Sequence, residues 1–129
     1  TIAVAHAGRQ GTFQNILKST ITSMQLDFHA DAKNIFVSIG ASIGVCCYEV
    51  GREIYDECIH LNYEYAIEVR NKRYYLDISK ILYKQLISLG IEKEHIEISS
   101  ECTCCLHNKY YSYRHSQNTG RFCGLIYLT

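Results

Sequence analysis

Apolar positions open the chain as a short run, Ile2-Ala3-Val4-Ala5, whose β-branched content predicts a buried strand. The run stops at His6, two glycines three apart follow (Gly8 and Gly11), and a helical pattern then begins. Phe13, Ile16, Leu17, Ile21 and Met24 recur at spacings of three and four, with Thr12 as the expected N-cap. Asp27 to Lys33 is polar and reads as a turn, and Asn34 to Ile39 reads as a second buried strand. That strand enters a glycine-containing stretch from Gly40 to Gly51, in which Gly40 and Gly44 imply a loop folded close to a ligand or to another backbone. Val50, Ile54 and Cys58 then share one face of a short helix reaching about Leu61.

Farther along, Ala66 to Val69 and Arg73 to Leu76 predict a hairpin around Asn71-Lys72. Asp77 is placed to cap the clearest helix of the chain, marked by Ile78, Ile81, Leu82, Leu86 and Leu89 and closed by Gly90. His95 to Ser99 alternates as a strand does, and Thr119-Gly120-Arg121 opens a final predicted strand, Phe122 to Leu128. Strands and helices alternate without a regular βαβ rhythm, so the expected class is α+β, a mixed β-sheet core flanked by helices in one domain over residues 1–129.

Composition narrows the function. A length of 129 residues with 47% hydrophobic content is enough for a real core. Thirteen basic and thirteen acidic side chains cancel, which argues against nucleic acid or a membrane surface as partner. No apolar run approaches the roughly 18–20 residues of a spanning helix, and no signal peptide is evident. Seven cysteines, partly adjacent and odd in number, suit free thiols in a reducing compartment, so the expected location is cytoplasmic. Because Thr1 is not an initiator methionine and the first residues already read as a core strand, the chain is expected to be the C-terminal part of a longer protein.

The candidate chemistry begins at His6. A strand end leading into a helix start offers N–H groups to an anion, with His6 at the mouth of the site. Glycine turns between strands and helices are also common without function. This loop has neither the Lys-Ser/Thr ending of a P-loop nor the spacing of a dinucleotide fold. Cys46 and Cys47, adjacent in this loop, are not expected to face the same way: one packs and the other lines a cavity, or both are small buried hydrophobes. Cys102, Cys104, Cys105 and His107 place four soft ligands in six residues, but a structural zinc site needs a second, distant pair and none is evident. Arg114 and Arg121 have the geometry to clamp phosphate or carboxylate, and equally to form surface ion pairs.

Four stretches together resemble one family. His6-Ala7-Gly8-Arg9-Gln10-Gly11-Thr12 is similar to its His-Ala-Gly-Trp-Arg-Gly-Thr, and Gly40 to Gly51 to its Gly-Pro-Ser-Ile-Gly-Pro-Cys-Cys-Tyr-Glu-Val-Gly. Leu76-Asp77, and Cys102-Thr103 followed by Tyr111-Ser112-Tyr113-Arg114 and Thr119-Gly120-Arg121, complete the set in order. This is the YfiH-like laccase-domain family, first called multicopper polyphenol oxidases and described as purine nucleoside phosphorylases with adenosine deaminase activity. The resemblance is to the C-terminal half of members about twice as long, and implies a YfiH-like fold.

The resemblance implies a zinc ion held by two histidines and a cysteine, of which only the last in chain order, His6, falls in this sequence. A purine nucleoside and phosphate are the implied partners, with His6, Arg9 and Cys46 as catalytic candidates and Gly8, Gly11, Gly44, Arg114 and Arg121 around substrate or phosphate. Copper is the less favoured metal, because the His-x-His pairs of a multicopper oxidase are absent. The family's Trp-Arg is replaced here by Arg9-Gln10, its two loop prolines by Ala41 and Val45, and the second arginine of Tyr-Arg-Arg by His115. These departures raise a second reading, a catalytically impaired nucleoside-binding or scaffold module. A third makes Cys46 the nucleophile of a cysteine hydrolase, which requires a depressed thiol pKa.

Overall fold

A computed structural model describes residues 1–129. Helices α1 (Arg9–Phe13) and α2 (Ile16–Phe28) come first, followed by strands β1 (Val37–Ile39) and β2 (Glu49–Val50) and helix α3 (Arg52–His60). Strands β3 (Ile67–Arg70) and β4 (Arg73–Leu76), helix α4 (Ile78–Ser88) and strand β5 (Ile96–Ile98) complete the order. The expected α+β class holds, but the β structure is divided between two small sheets. β1 pairs with β5 in parallel from Val37–Ile96 to Ile39–Ile98, while β2, β4 and β3 form an antiparallel sheet in that spatial order.

α4 is the packing centre. Its apolar spacing buries Ile78, Ile81 and Leu82 against Phe13, Val50, Cys58, Ala66 and Leu76, while Leu86 joins Ile21, Ile35 and Ile91 beneath α2. The boundaries foreseen for α4 are correct: the Asp77 side chain accepts the Lys80 N–H at 3.0 Å, and Gly90 follows at φ +84°. The hairpin is also as expected, because Asn71 and Lys72 both take positive φ, the geometry that matches the twist of a two-residue turn.

Four expectations fail. Residues 1–8 join no ladder and Val4 is 65% exposed, because no strand within the chain lies beside them. Phe122 to Leu128 is likewise unpaired, with Leu125 81% exposed. The first helix is broken in two: Thr12 lies inside α1, fully buried, with its hydroxyl donating to the Ala7 carbonyl at 3.2 Å. The caps are Gly8 for α1 and Asn15 for α2, and Asn15 adopts left-handed φ 56° and accepts the Lys18 N–H. The Glu49-Val50 stretch is strand, and α3 starts after Gly51. No helix is long and apolar enough to cross a membrane.

Candidate functional site

The fold places the sequence candidates at two separate centres. His6, Gly8, Arg9, Gln10, Gly11 and Gln14 line an open concavity of about 420 Å³ around the start of α1. The glycines leave room for close approach here, most strictly at Gly11, where the neighbour is backbone. A Cβ at Gly11 would lie 3.0 Å from the His6 carbonyl oxygen, and one at Gly8 would lie 3.0 Å from His6 Nε2. Only five residues form α1, a rod of about 7.5 Å, so its dipole adds little and charge in the concavity comes from the Arg9 side chain. Arg9 sits 5.6 Å over the Phe13 ring and 3.4 Å from Glu57, at the C-terminal end of α3.

A buried amide anchors this corner to the core. Gln85 of α4 donates from Nε2 to the Thr12 carbonyl at 2.9 Å and to the Tyr63 hydroxyl at 3.0 Å, leaving its Oε1 without a partner. Nothing in the sequence pattern marked Gln85, which lies on the apolar face of α4. Gln10 and Gln14 were also missed, although their i, i+4 spacing puts both amides on one side of α1.

The second centre is made of thiols. Cys46, Cys47, Cys102 and Cys105 bring their sulfurs within 4.8 Å of one another. Cys105 Sγ lies 3.5 Å from that of Cys46 and 3.4 Å from that of Cys47. Both members of the adjacent pair therefore face the same cluster. The expectation that the two face different ways fails, because residues 45–47 form a turn in which the Cys47 and Tyr48 N–H groups both bond to the Gly44 carbonyl. The distant second pair that seemed missing is thus present, as Cys46-Cys47. The spatial signal was available only through the parallel pairing of β1 with β5, which brings the chain ends beyond both strands together. A bridge between Ser42 and Cys102 continues that pairing, with the Thr103 N–H on the Ser42 carbonyl at 3.0 Å.

Electrostatics separates these thiols. Burial pushes Cys102 up, but hydrogen bonds from the Cys105 and Gly44 N–H groups and from the Cys46 thiol outweigh it and hold Cys102 down at about 6. The Gly44 N–H reaches its sulfur at 3.2 Å. Cys46 is pushed up to about 11, first by desolvation and then by Cys102 and Cys105; Cys47 is raised further by desolvation and Cys105. The depressed thiol that a cysteine nucleophile at position 46 needs is therefore found at Cys102. Gly44 belongs to this centre as well, since a Cβ there would lie 3.1 Å from Cys46 Sγ and 3.3 Å from Cys102 Cβ.

The two candidate anion clamps lie elsewhere. Arg114 stacks 4.8 Å over the Tyr48 ring and donates to the Glu49 carbonyl at 2.6 Å; Arg121 donates to the Gly120 carbonyl at 2.9 Å within its own loop. Neither lines the concavity at His6. As for a metal at His6, its imidazole is exposed and Gly8 leaves room beside Nε2, but the four thiols are the one group of three or more His, Cys, Asp or Glu ligands drawn together in this chain. Residues 1–129 thus offer one imidazole to such an ion.

Comparison with known proteins gives a consistent result. The family described as multi-copper polyphenol oxidoreductase laccase matches residues 1–129. The chain is 32% identical over 130 aligned positions to purine nucleoside phosphorylase YlmD of Geobacillus stearothermophilus, covering 97% of this chain and 47% of that protein. It is 28% identical to purine nucleoside phosphorylase YfiH of Escherichia coli, over 98% of this chain and 51% of that protein. The crystal structure of the Bacillus licheniformis hypothetical protein YfiH superposes with a TM-score of 0.79 at 29% identity, covering 88% of this chain and 44% of that one. The chain spans about half the length of these relatives.

Proposed function

From the premise that this chain belongs to the multi-copper polyphenol oxidoreductase laccase family, we propose that it forms part of a zinc-dependent purine nucleoside phosphorylase acting on inosine or adenosine. The observation that carries this reading is the convergence of His6, Gly8, Arg9 and Gly11 on one open concavity. In phosphorolysis a phosphate oxygen attacks ribose C1′, the bond from C1′ to the purine nitrogen breaks, and its electron pair leaves with the base, which takes up a proton. Ribose 1-phosphate is the other product. Arg9 holds the phosphate by charge-assisted hydrogen bonds, and the Gln10 and Gln14 amides meet the ribose hydroxyls. Gly8 and Gly11 let substrate approach the backbone. His6 would be one ligand of the zinc ion, which when bound would supply a Lewis acid for the developing charge. An accompanying adenosine deaminase activity would exchange the 6-amino group of adenine for the oxygen of water at the same site.

One observation favours the impaired-module reading instead: Arg9 is already engaged by Glu57 at 3.4 Å, and Gln10 carries no charge. Kinetics of the full-length protein separate the two. Arg9→Ala should raise KM for phosphate by about 10–100-fold, the equivalent of a charged hydrogen bond of about 1.5–3 kcal/mol. His6→Ala should lower kcat by orders of magnitude. Unchanged turnover in His6→Ala removes the role assigned to that residue, and a nucleoside that raises Tm without being consumed selects the binding module.

A further inference from the structure

The thiol cluster has a geometry that the phosphorolysis reading neither uses nor explains. A zinc ion at about 2.3 Å from each of four tetrahedral sulfurs separates those sulfurs by about 3.8 Å. Here the Cys105 sulfur is 3.4 and 3.5 Å from its two neighbours, and all four lie within 4.8 Å. We propose that Cys46, Cys47, Cys102 and Cys105 form a tetrathiolate site for a structural zinc ion, distinct from any metal held through His6.

The surroundings match what such a centre needs. Cys102 and Cys105 have the C-x2-C spacing of a zinc half-site: Cys102 is held by its bridge to Ser42, and Cys105 lies in the turn from 103 to 109 that follows it. The other half comes from the turn at 45–47, 58 or 59 residues away in sequence. The Gly44 N–H points at the Cys102 sulfur from 3.2 Å, the kind of outer hydrogen bond that fixes a thiolate ligand. Four thiolates around a divalent ion leave a net charge of −2, and a cation is fixed beside them. Arg70 donates to the Val45 carbonyl at 2.7 Å and to the Cys46 carbonyl at 3.3 Å, and its guanidinium lies 3.7 Å over the Tyr75 ring. Binding forms four Zn–S bonds, and the thiol protons pass to the buffer with no change of oxidation state.

The structural consequence is a clasp beyond the ends of the parallel strands β1 and β5, a pair only three residues long. Past Cys105 the chain runs through turns and irregular backbone to Thr129. The ion would fix the point from which that segment departs.

The test uses the full-length protein prepared in the absence of oxygen, with His6→Ala as background so that a histidine-bound ion does not contribute. Metal analysis and zinc X-ray absorption should find about one zinc per chain with sulfur alone at about 2.3 Å, not the nitrogen at about 2.0–2.1 Å that histidine gives. Adding Cys105→Ser or Cys46→Ser should abolish that zinc or weaken its retention against a chelator at least tenfold, while Cys123→Ser, an exposed thiol outside the cluster, should not. Titrating the chelator-stripped His6→Ala protein, its four cluster cysteines intact, with cobalt chloride should give a thiolate-to-metal charge-transfer band of four-thiolate intensity that saturates at one equivalent, a readout that does not depend on how the cysteine variants fold. Zinc bound only through nitrogen and oxygen, a Cys46–Cys105 or Cys47–Cys105 disulfide in the native protein, or no charge-transfer band would each overturn the assignment. Because the readouts are metal content and spectra, loss of phosphorolysis in His6→Ala leaves them unaffected, and the two proposals fail separately.

Discussion

Replacing Gln85 by leucine should cost almost nothing in stability, although it deletes two buried hydrogen bonds. Those bonds, to the Thr12 carbonyl at 2.9 Å and the Tyr63 hydroxyl at 3.0 Å, contribute about 0.5–1.5 kcal/mol each, or about 1–3 kcal/mol together. The same amide keeps its Oε1 buried without a partner, a penalty of about 1–3 kcal/mol that leucine removes. Neither former partner is stranded. The Thr12 carbonyl still accepts the Asn15 N–H at 3.0 Å, and Tyr63 is only half-buried. Leucine also fills a similar volume next to Leu82 and Leu86, so the net change for Gln85→Leu should lie within about 1 kcal/mol of zero. Gln85→Ala loses the same bonds and the same orphaned oxygen, but leaves a void between α1 and α4 that costs about 2–4 kcal/mol. Urea unfolding at equal m-value measures both. A leucine variant as destabilised as the alanine variant would refute the claim that the orphaned oxygen offsets the two bonds.

Two further outcomes follow from the backbone and the thiols. Lys72 sits at φ 62° in the β3–β4 turn, so Lys72→Gly should stabilise the protein by about 0.5–1 kcal/mol in the same unfolding assay; a loss of stability would show that the turn is held by the lysine side chain. Cys58 is fully buried, and desolvation followed by the nearby Glu57 pushes its thiol up to about 11 against the ordinary 9.0. Since the folded value is the higher one, folding favours the neutral thiol: the Cys58 contribution to stability is complete below about pH 9 and is lost as pH rises through about 11. Native Cys58 should therefore alkylate far more slowly than exposed Cys123 at pH 8, and comparable rates by peptide mapping would contradict its burial.

What the sequence disclosed, it disclosed through local rules. Asp77 and Gly90 bounded α4 because a cap and a left-handed exit are written in single residues, and Asn71-Lys72 announced the hairpin for the same reason. The glycines after His6 are legible as a loop of close approach, and His6, Gly8, Arg9 and Gly11 line one open concavity. Long-range placement was not legible. Adjacent residues such as Cys46 and Cys47 are expected to face different ways, whereas the turn after Gly44 sends both sulfurs toward Cys105. Apolar composition alone made strands of Ile2 to Ala5 and Phe122 to Leu128, yet a strand exists only where a neighbour supplies its ladder, and within this chain none does. Thr12 had the residue type of a cap and the position of a core residue, and burial against α4 prevailed.

The central claim is that the concavity at His6 serves phosphorolysis, and the most direct test is the phosphate requirement of base release by the full-length protein. With inosine or adenosine as substrate, the account predicts that purine appears only when inorganic phosphate is present and that ribose 1-phosphate forms mole for mole with it. Base released together with free ribose in the absence of phosphate, or no turnover of either nucleoside by zinc-replete protein, would contradict it.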